Sequence, residues 1–279
     1  AKKQAAQTVP EQEKLVALTA EQQSVISQIE QNCGPFLLYG STGSGKTEVY
    51  LHTVAAALAA DPQAQALVLV PEINLTPQLL ARLERRFAPT LGPQAVASLH
   101  SGLTEAQRLK HWLAAHTGQA RIVLGTRMAV LASLPQLKII VVDEEHDPSF
   151  KQEEGARYSA RDLALWRGRD AGAKVILGSA TPSLESWYAC QQGRYQRLDM
   201  PSRLAAAALP SVHLVNMRQQ PKSTVFAPAL LQAITERIQR GEQSLVLLNR
   251  RGFAPVLWCG DCGWKSDCPH CSAHQVFHK

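Results

Sequence analysis

Short, almost uninterrupted apolar runs recur along the chain: FLLY at 36–39, ALVLVP at 66–71, AVASLH at 95–100, RIVLGT at 121–126, KIIVVDE at 138–144 and KVILGSAT at 174–181. Runs this short and this apolar predict strands buried on both faces. Between them apolar residues fall at helical spacing, in Glu48–Ala60, Thr76–Phe87, Thr104–His116, Ala160–Ala171 and Ser183–Gln191. The alternation predicts an α/β fold, a parallel sheet with helices on both faces. Gly34-Pro35 punctuates the chain before the first strand, Asp61-Pro62 closes a helix, and Thr181-Pro182 turns the chain out of the last strand.

After about Met200 the text changes to Ala-rich and Pro-containing segments, then SVHLVNM, a helix near Ala229–Arg240 and the strand SLVLLNRR. The expected plan is a linker at 1–14, a first α/β lobe at 15–203, the beginning of a second lobe at 204–258 and a cysteine module at 259–279. Too few strands follow residue 204 to complete a second sheet, so the second lobe is expected to be truncated.

Gly40, Ser41, Thr42, Gly43, Ser44, Gly45, Lys46 and Thr47 match the phosphate-loop pattern, placed between the FLLY strand and a helix. The glycines let backbone N–H groups converge on phosphate oxygens, and the helix N-terminus adds the positive end of its dipole. Lys46 is expected to reach the β- and γ-phosphates of ATP, and Thr47 to hold Mg²⁺. A Gly-rich structural turn is the alternative reading of the octapeptide. Farther on, a buried strand ends in Asp143-Glu144-Glu145-His146. An acid at the C-terminal end of a parallel strand lies on the edge where such sheets bind ligands. Asp143 is expected to bind Mg²⁺ and Glu144 to orient and deprotonate the attacking water. His146 can relay nucleotide state, and Glu145 is the less favoured base. A solvated acidic turn would explain the tetrapeptide alone, but not its pairing with a phosphate loop. Ser179 and Thr181, in GSAT, end another strand on the same edge and can hydrogen-bond His146.

Phosphate loop, D-E-x-H and S-A-T in this order resemble the superfamily 2 helicase motors. GSTGSGKTEVYL, LVPEINLTPQL, LHSGLTEAQR, LGTRMAVL, VVDEEHDPSFKQEEGARYSARDLA, LGSATPSLES and LLNRRGFAP followed by paired cysteines resemble, more narrowly, the bacterial primosomal protein N′ (PriA) family. The resemblance runs from about Leu18 to Cys271. It implies RecA-like lobes and ATP-driven 3′-to-5′ unwinding of single-stranded and forked DNA at stalled replication forks. Single-strand binding protein and other primosome proteins are the implied partners. Gln22, in LTAEQ, matches the glutamine that contacts adenine in many such motors. The family's N-terminal DNA-binding domains and late second-lobe arginines have no counterpart here, so the resemblance implies a central piece of the motor, weak or inactive in unwinding.

Loops at Pro71–Thr76, Ser101-Gly102 and Gly125-Thr126-Arg127 are DNA-contact candidates, because small residues and backbone N–H groups there hold phosphates without reading sequence. Ordinary helix capping is the alternative. Phe150, Arg157, Tyr158 and Arg161, with Lys151 close by, interleave aromatics with cations after the acidic box and suit stacking on single-stranded bases. Tyr158 and Trp166 can equally be core residues at helical spacing.

Cys259, Cys262, Cys268 and Cys271 form two pairs with metal-ligand spacing. Only five residues separate the pairs, shorter than the span of one four-cysteine ribbon. Each pair is therefore expected to join a further one downstream, giving two interleaved Zn²⁺ sites in the full-length protein; an iron–sulfur cluster or metal-free thiols are the alternatives.

Twenty-nine Lys and Arg against 23 Asp and Glu give +6, which suits a polyanion without requiring one. No apolar run spans a bilayer and the first residues carry no signal-peptide core, so a cytoplasmic location is expected. Two other functions share these motifs: a double-strand DNA translocase, and a nucleotide-binding module without unwinding activity.

Overall fold

The computed structural model describes residues 17–71, 76–203, 211–220, 226–247, 256–257, 259, 262–269 and 275. The chain divides into two compact units, 1–208 and 209–279. In the first, helices α1 (Ala20–Gln31), α2 (Lys46–Ala60), α3 (Thr76–Leu91), α4 (Glu105–His116), α5 (Ala160–Ala171) and α6 (Leu184–Gln191) surround seven strands. These are β1 (Phe36–Gly40), β2 (Gln65–Leu69), β3 (Val96–Leu99), β4 (Ile122–Gly125), β5 (Leu137–Asp143), β6 (Lys174–Ser179) and β7 (Gln196–Met200).

All strand pairs are parallel, in the order β3-β4-β2-β5-β6-β1-β7. Alternate residues feed two cores. Phe36, Leu38, Val68, Leu124, Val141 and Ile176 pack on one face with α1, α2 and α3. Leu37, Leu67, Val123, Ile140 and Leu177 pack on the other, with Ala160 and Ala164 of α5. Burial on both faces is why these strands read as continuous apolar text.

Two elements escape that signature. Helix α1 is Gln-rich and buries only Gln22, Val25, Ile26 and Ile29; it starts at a capping box, Thr19 with Gln22. Strand β7, QRLDM, sits at the sheet edge against β1 and alternates buried with exposed residues. Helix α3 also outruns its expected stop at Phe87, continuing past Pro89 to Leu91. Proline forfeits one N–H bond in the final turn, and Gly92, at φ +94°, ends the helix.

In the second unit, α7 (Pro228–Gln239) agrees with the expected helix near Ala229–Arg240. The expected strand SLVLLNRR is corrected in part: residues 244–247 are not in a strand, and Leu245 and Leu247 are exposed. A strand requires a hydrogen-bonded partner, and among the described residues no strand pairs with this segment. Residues 248–251 fall outside the described residues.

Candidate functional site

Because every strand is parallel, every strand's C-terminal end lies along one edge of the sheet. The phosphate loop leaves β1 there, and Gly45 caps α2 at φ +86°, a left-handed turn that glycine adopts without strain. Ser44 N–H donates to the Ser41 carbonyl at 3.1 Å. Lys46 is 8% exposed and its Nζ donates to the Gly40 carbonyl at 2.8 Å and the Ser41 carbonyl at 3.5 Å, so the ammonium lies inside the loop's concavity. Gln22 is buried; its Oε1 accepts from Thr19 N–H at 2.9 Å and its Nε2 donates to the Gly45 carbonyl at 3.3 Å. Thus Gln22 braces the loop from α1. Thr42, Gly43, Gly45, Lys46 and Thr47 share a cavity of about 380 Å³ with Gln22, Glu48, Arg82, Asp143 and Glu144.

The acidic box is fixed from three sides. An oxygen of Asp143, Oδ1, accepts from the Tyr50 hydroxyl at 3.0 Å and from Glu144 N–H at 3.1 Å. Burial, then the neighbouring Glu144 carboxylate, hold Asp143 above the usual carboxylate range, against the opposing pull of Tyr50 and Lys46. A carboxylate desolvated in this way has strong reason to accept a dication. The Tyr50 phenol is pushed well above its ordinary value by burial and by Asp143, so it stays a donor. Glu144 stands at φ +48°, the single non-glycine residue in that region among those described. Such strain persists where surrounding contacts over-determine it.

Those contacts come largely from Glu145. Its side chain is fully buried, and it accepts from Ser183 N–H at 2.7 Å, Ser183 Oγ at 3.0 Å, Ser186 Oγ at 2.8 Å and Arg161 Nη1 at 3.3 Å. Glu145 therefore points away from the cavity and ties the box to the first turns of α5 and α6. His146 pairs with both hydroxyls of GSAT, Nδ1 with Ser179 Oγ at 2.8 Å and Nε2 with Thr181 Oγ1 at 3.3 Å. Nδ1 also lies 3.6 Å from Glu144 Oε2. Lys46, Asp143, Glu144 and His146 are thus brought together, with the hydroxyl relay beside them.

The expected DNA contacts separate into two groups. Phe150 is corrected: it is 2% exposed and belongs to the core under α5, so its ring is not presented to a base. Arg127 spends its guanidinium on the Ser149 and Lys151 carbonyls, at 2.9 and 2.8 Å, and holds the segment after the acidic box. Tyr158 is partly buried against the same core, and Trp166 is exposed. Lys151 and Arg157 are exposed, as are Ser101 and Gly102. Of the Pro71–Thr76 loop, residues 72–75 lie outside the described residues.

Cys259 and Cys262 stand on a tight turn in which Cys259 N–H donates to the Trp264 carbonyl at 2.8 Å and Gly263 N–H to the Cys259 carbonyl at 3.0 Å. Cys268 is partly buried, and Cys271 lies outside the described residues. Among the described residues no three His, Cys, Asp or Glu side chains form a metal-binding group.

Three residues had no signal in the text. Tyr50 reads as a helix core aromatic, and nothing local shows that its hydroxyl reaches Asp143. Gly178 reads as a small residue in a strand, yet a Cβ there would overlap the Tyr50 hydroxyl and stand 2.7 Å from its Cζ. Arg82 lies outside every motif.

The chain as a whole is similar to known proteins. The chain is 40% identical to the replication restart protein PriA of Bacillus subtilis over 94% of its own length and 33% of that protein's. It is 41% identical to the PriA of Haemophilus influenzae, over 96% of this chain and 36% of that one. The chain thus spans about a third of the length of the curated relatives it matches. Among solved structures, the DUF1998 helicase MrfA superposes with a TM-score of 0.55 at 22% identity, covering 84% of this chain and 36% of that one. RecG bound to a three-way DNA junction superposes with a TM-score of 0.54 at 19% identity, covering 81% and 28%. Both show the RecA-like helicase fold. The DEAD/DEAH box helicase family matches residues 19–188, the whole span from the cap of α1 through the strained acidic box to α6, and the chain belongs to that family.

Proposed function

We propose that this chain is the ATP-hydrolysing part of a 3′-to-5′ DNA helicase that acts at stalled replication forks in replication restart. The observation that carries the reading is the convergence of Lys46, Asp143 and Glu144 on one cavity, with His146, bonded to Ser179, 3.6 Å from Glu144 Oε2 behind it. Its assignment to replication restart rests on the likeness to the PriA relatives along nearly the whole chain.

In this reading Gln22 contacts adenine, the backbone of Gly40–Thr47 cradles the phosphates, and Lys46 trades its loop carbonyls for phosphate oxygens. Thr47 and Asp143 would hold Mg²⁺, which neutralises phosphate charge when bound. Glu144 orients the attacking water and takes its proton, while His146 reports the state of the box to Ser179 and Thr181. Lys151 and Arg157, with Arg127 holding their loop and Tyr158 beside them, face a single strand. Single-stranded and forked DNA, single-strand binding protein and other primosome proteins are the proposed partners. The four cysteines bind zinc together with ligands farther along; support is their spacing and the turn at Cys259.

Titration calorimetry with Mg²⁺-ATP tests the site. Lys46→Ala should remove measurable binding while the fold persists; unchanged affinity would overturn the assignment. ATPase rates of a full-length protein with and without single-stranded DNA test the motor: Glu144→Gln should keep nucleotide binding and lose turnover, and DNA without effect on the wild-type rate would refute the helicase reading.

A further inference from the structure

We propose that Arg82 is a γ-phosphate contact, an arginine of the first unit that exchanges Glu48 for the terminal phosphate of ATP. The proposal rests on the nucleotide-site reading above.

Arg82 stands on α3 and lines the cavity with Lys46, Thr47, Asp143 and Glu144. Its Nη2 donates to Glu48 Oε2 at 2.8 Å, and its side chain is 32% exposed. Glu48 follows Thr47 directly in the first turn of α2, and its carboxylate is only 10% exposed. A carboxylate so deeply placed requires a cation. Arg86, itself 8% exposed, supplies one on the other oxygen, and the His52 ring stands 3.3 Å from that same oxygen. His52 is held below its ordinary value by burial, then by Arg86, and so stays a neutral neighbour.

The two arginines therefore differ in what their departure would cost. Arg86 is the more deeply buried of the two, 8% against 32% exposed, so its own guanidinium would lose a buried partner if it left Glu48. If Arg82 swung away, Glu48 would keep Arg86, so the exchange leaves no unpaired buried charge. Arg82 is also the partner on the cavity side, beside the residues expected to surround the terminal phosphate. A planar guanidinium matches two phosphate oxygens with parallel N–H bonds, and γ-phosphate is the more highly charged acceptor. ADP offers no γ-phosphate, so Arg82 makes affinity depend on nucleotide state within a single unit.

The test is calorimetric titration of this chain with Mg²⁺-ATPγS and with Mg²⁺-ADP, for wild type, Arg82→Gln, Arg82→Lys and Arg86→Gln, each checked by thermal melting. Arg82→Gln should weaken ATPγS binding about tenfold and ADP binding less than about twofold, the low end for a charge-assisted bond at a partly exposed site. Arg82→Lys should fall between, keeping charge without the fork. Arg86→Gln should lower the melting temperature and, by leaving Arg82 as the cation on Glu48, weaken ATPγS binding more than ADP binding. Equal losses for both nucleotides on Arg82→Gln, or no loss, would overturn the proposal while leaving the site assignment intact. A folded wild-type chain that binds neither nucleotide would overturn the site assignment itself, and the proposal with it.

Discussion

Adding one methyl group at Gly178 should damage a site whose polar partner lies far away in sequence. The Cβ of Gly178→Ala would fall on the Tyr50 hydroxyl, 2.7 Å from Cζ and 3.3 Å from Cε1, where ordinary contacts begin near 3.4 Å. Tyr50 is 3% exposed and packed in the core on the α2 face of the sheet. Overpacking of this kind costs about 1–3 kcal/mol. Displacing the ring also breaks the 3.0 Å bond to Asp143, a charge-assisted bond worth about 1.5–3 kcal/mol. Together they predict a loss of about 2.5–6 kcal/mol, a large share of the roughly 5–15 kcal/mol that holds a domain folded. Urea unfolding of wild type, Gly178→Ala, Tyr50→Phe and the double variant measures it. In the Tyr50→Phe background the hydroxyl is gone and only residual crowding against the ring remains. The two changes should therefore couple by at least about 1.5 kcal/mol. Additivity within about 0.5 kcal/mol would show that the hydroxyl does not lie over Gly178, and the account of how Asp143 is held would fail.

Two further outcomes follow from burial. Phe150→Ala should cost about 3–5 kcal/mol as a core cavity, with Tyr158→Ala costing clearly less; a surface-like cost at Phe150, read from the same unfolding curves, would restore it to the DNA-contact group. Asp143 has a raised pKa in the folded protein, so its contribution to stability is full below the ordinary carboxylate value and is lost as pH rises through the raised one. Asp143→Asn, without Mg²⁺ or nucleotide, should therefore gain stability relative to wild type between about pH 4 and pH 7; a relative loss over that window would reverse the sign and refute the desolvation argument.

What could be read in the text was whatever repeats a local rule. Six strands carry the mark of two-sided burial, and the phosphate loop carries glycines at positions fixed by backbone geometry. Strand β7 and helix α1 broke the rule because one is an edge and the other a mostly exposed surface helix. Within the site, Lys46, Asp143, Glu144 and His146 were legible because each is adjacent in sequence to the turn that places it. Tyr50, Gly178 and Arg82 act across distances that only the packed sheet closes. The misreading of Phe150 has the same origin, since an aromatic beside cations suits both a base-stacking loop and a core, and only its position over Ala160 and Ala164 decides.

The strand order also separates two kinds of task. Loops proposed to meet DNA leave β3, β4 and β2, whereas the nucleotide loops leave β6 and β1, and β5 with its acidic turn forms the seam. The proposed track and fuel loops thus occupy neighbouring halves of one rim, with β5 between them and two interstrand spacings, about 10 Å, from β2 to β6. On the function proposed above, sequence drift in the track half can retune which nucleic acid is gripped without disturbing the fuel half, and only residues on β5 and its turn must satisfy both.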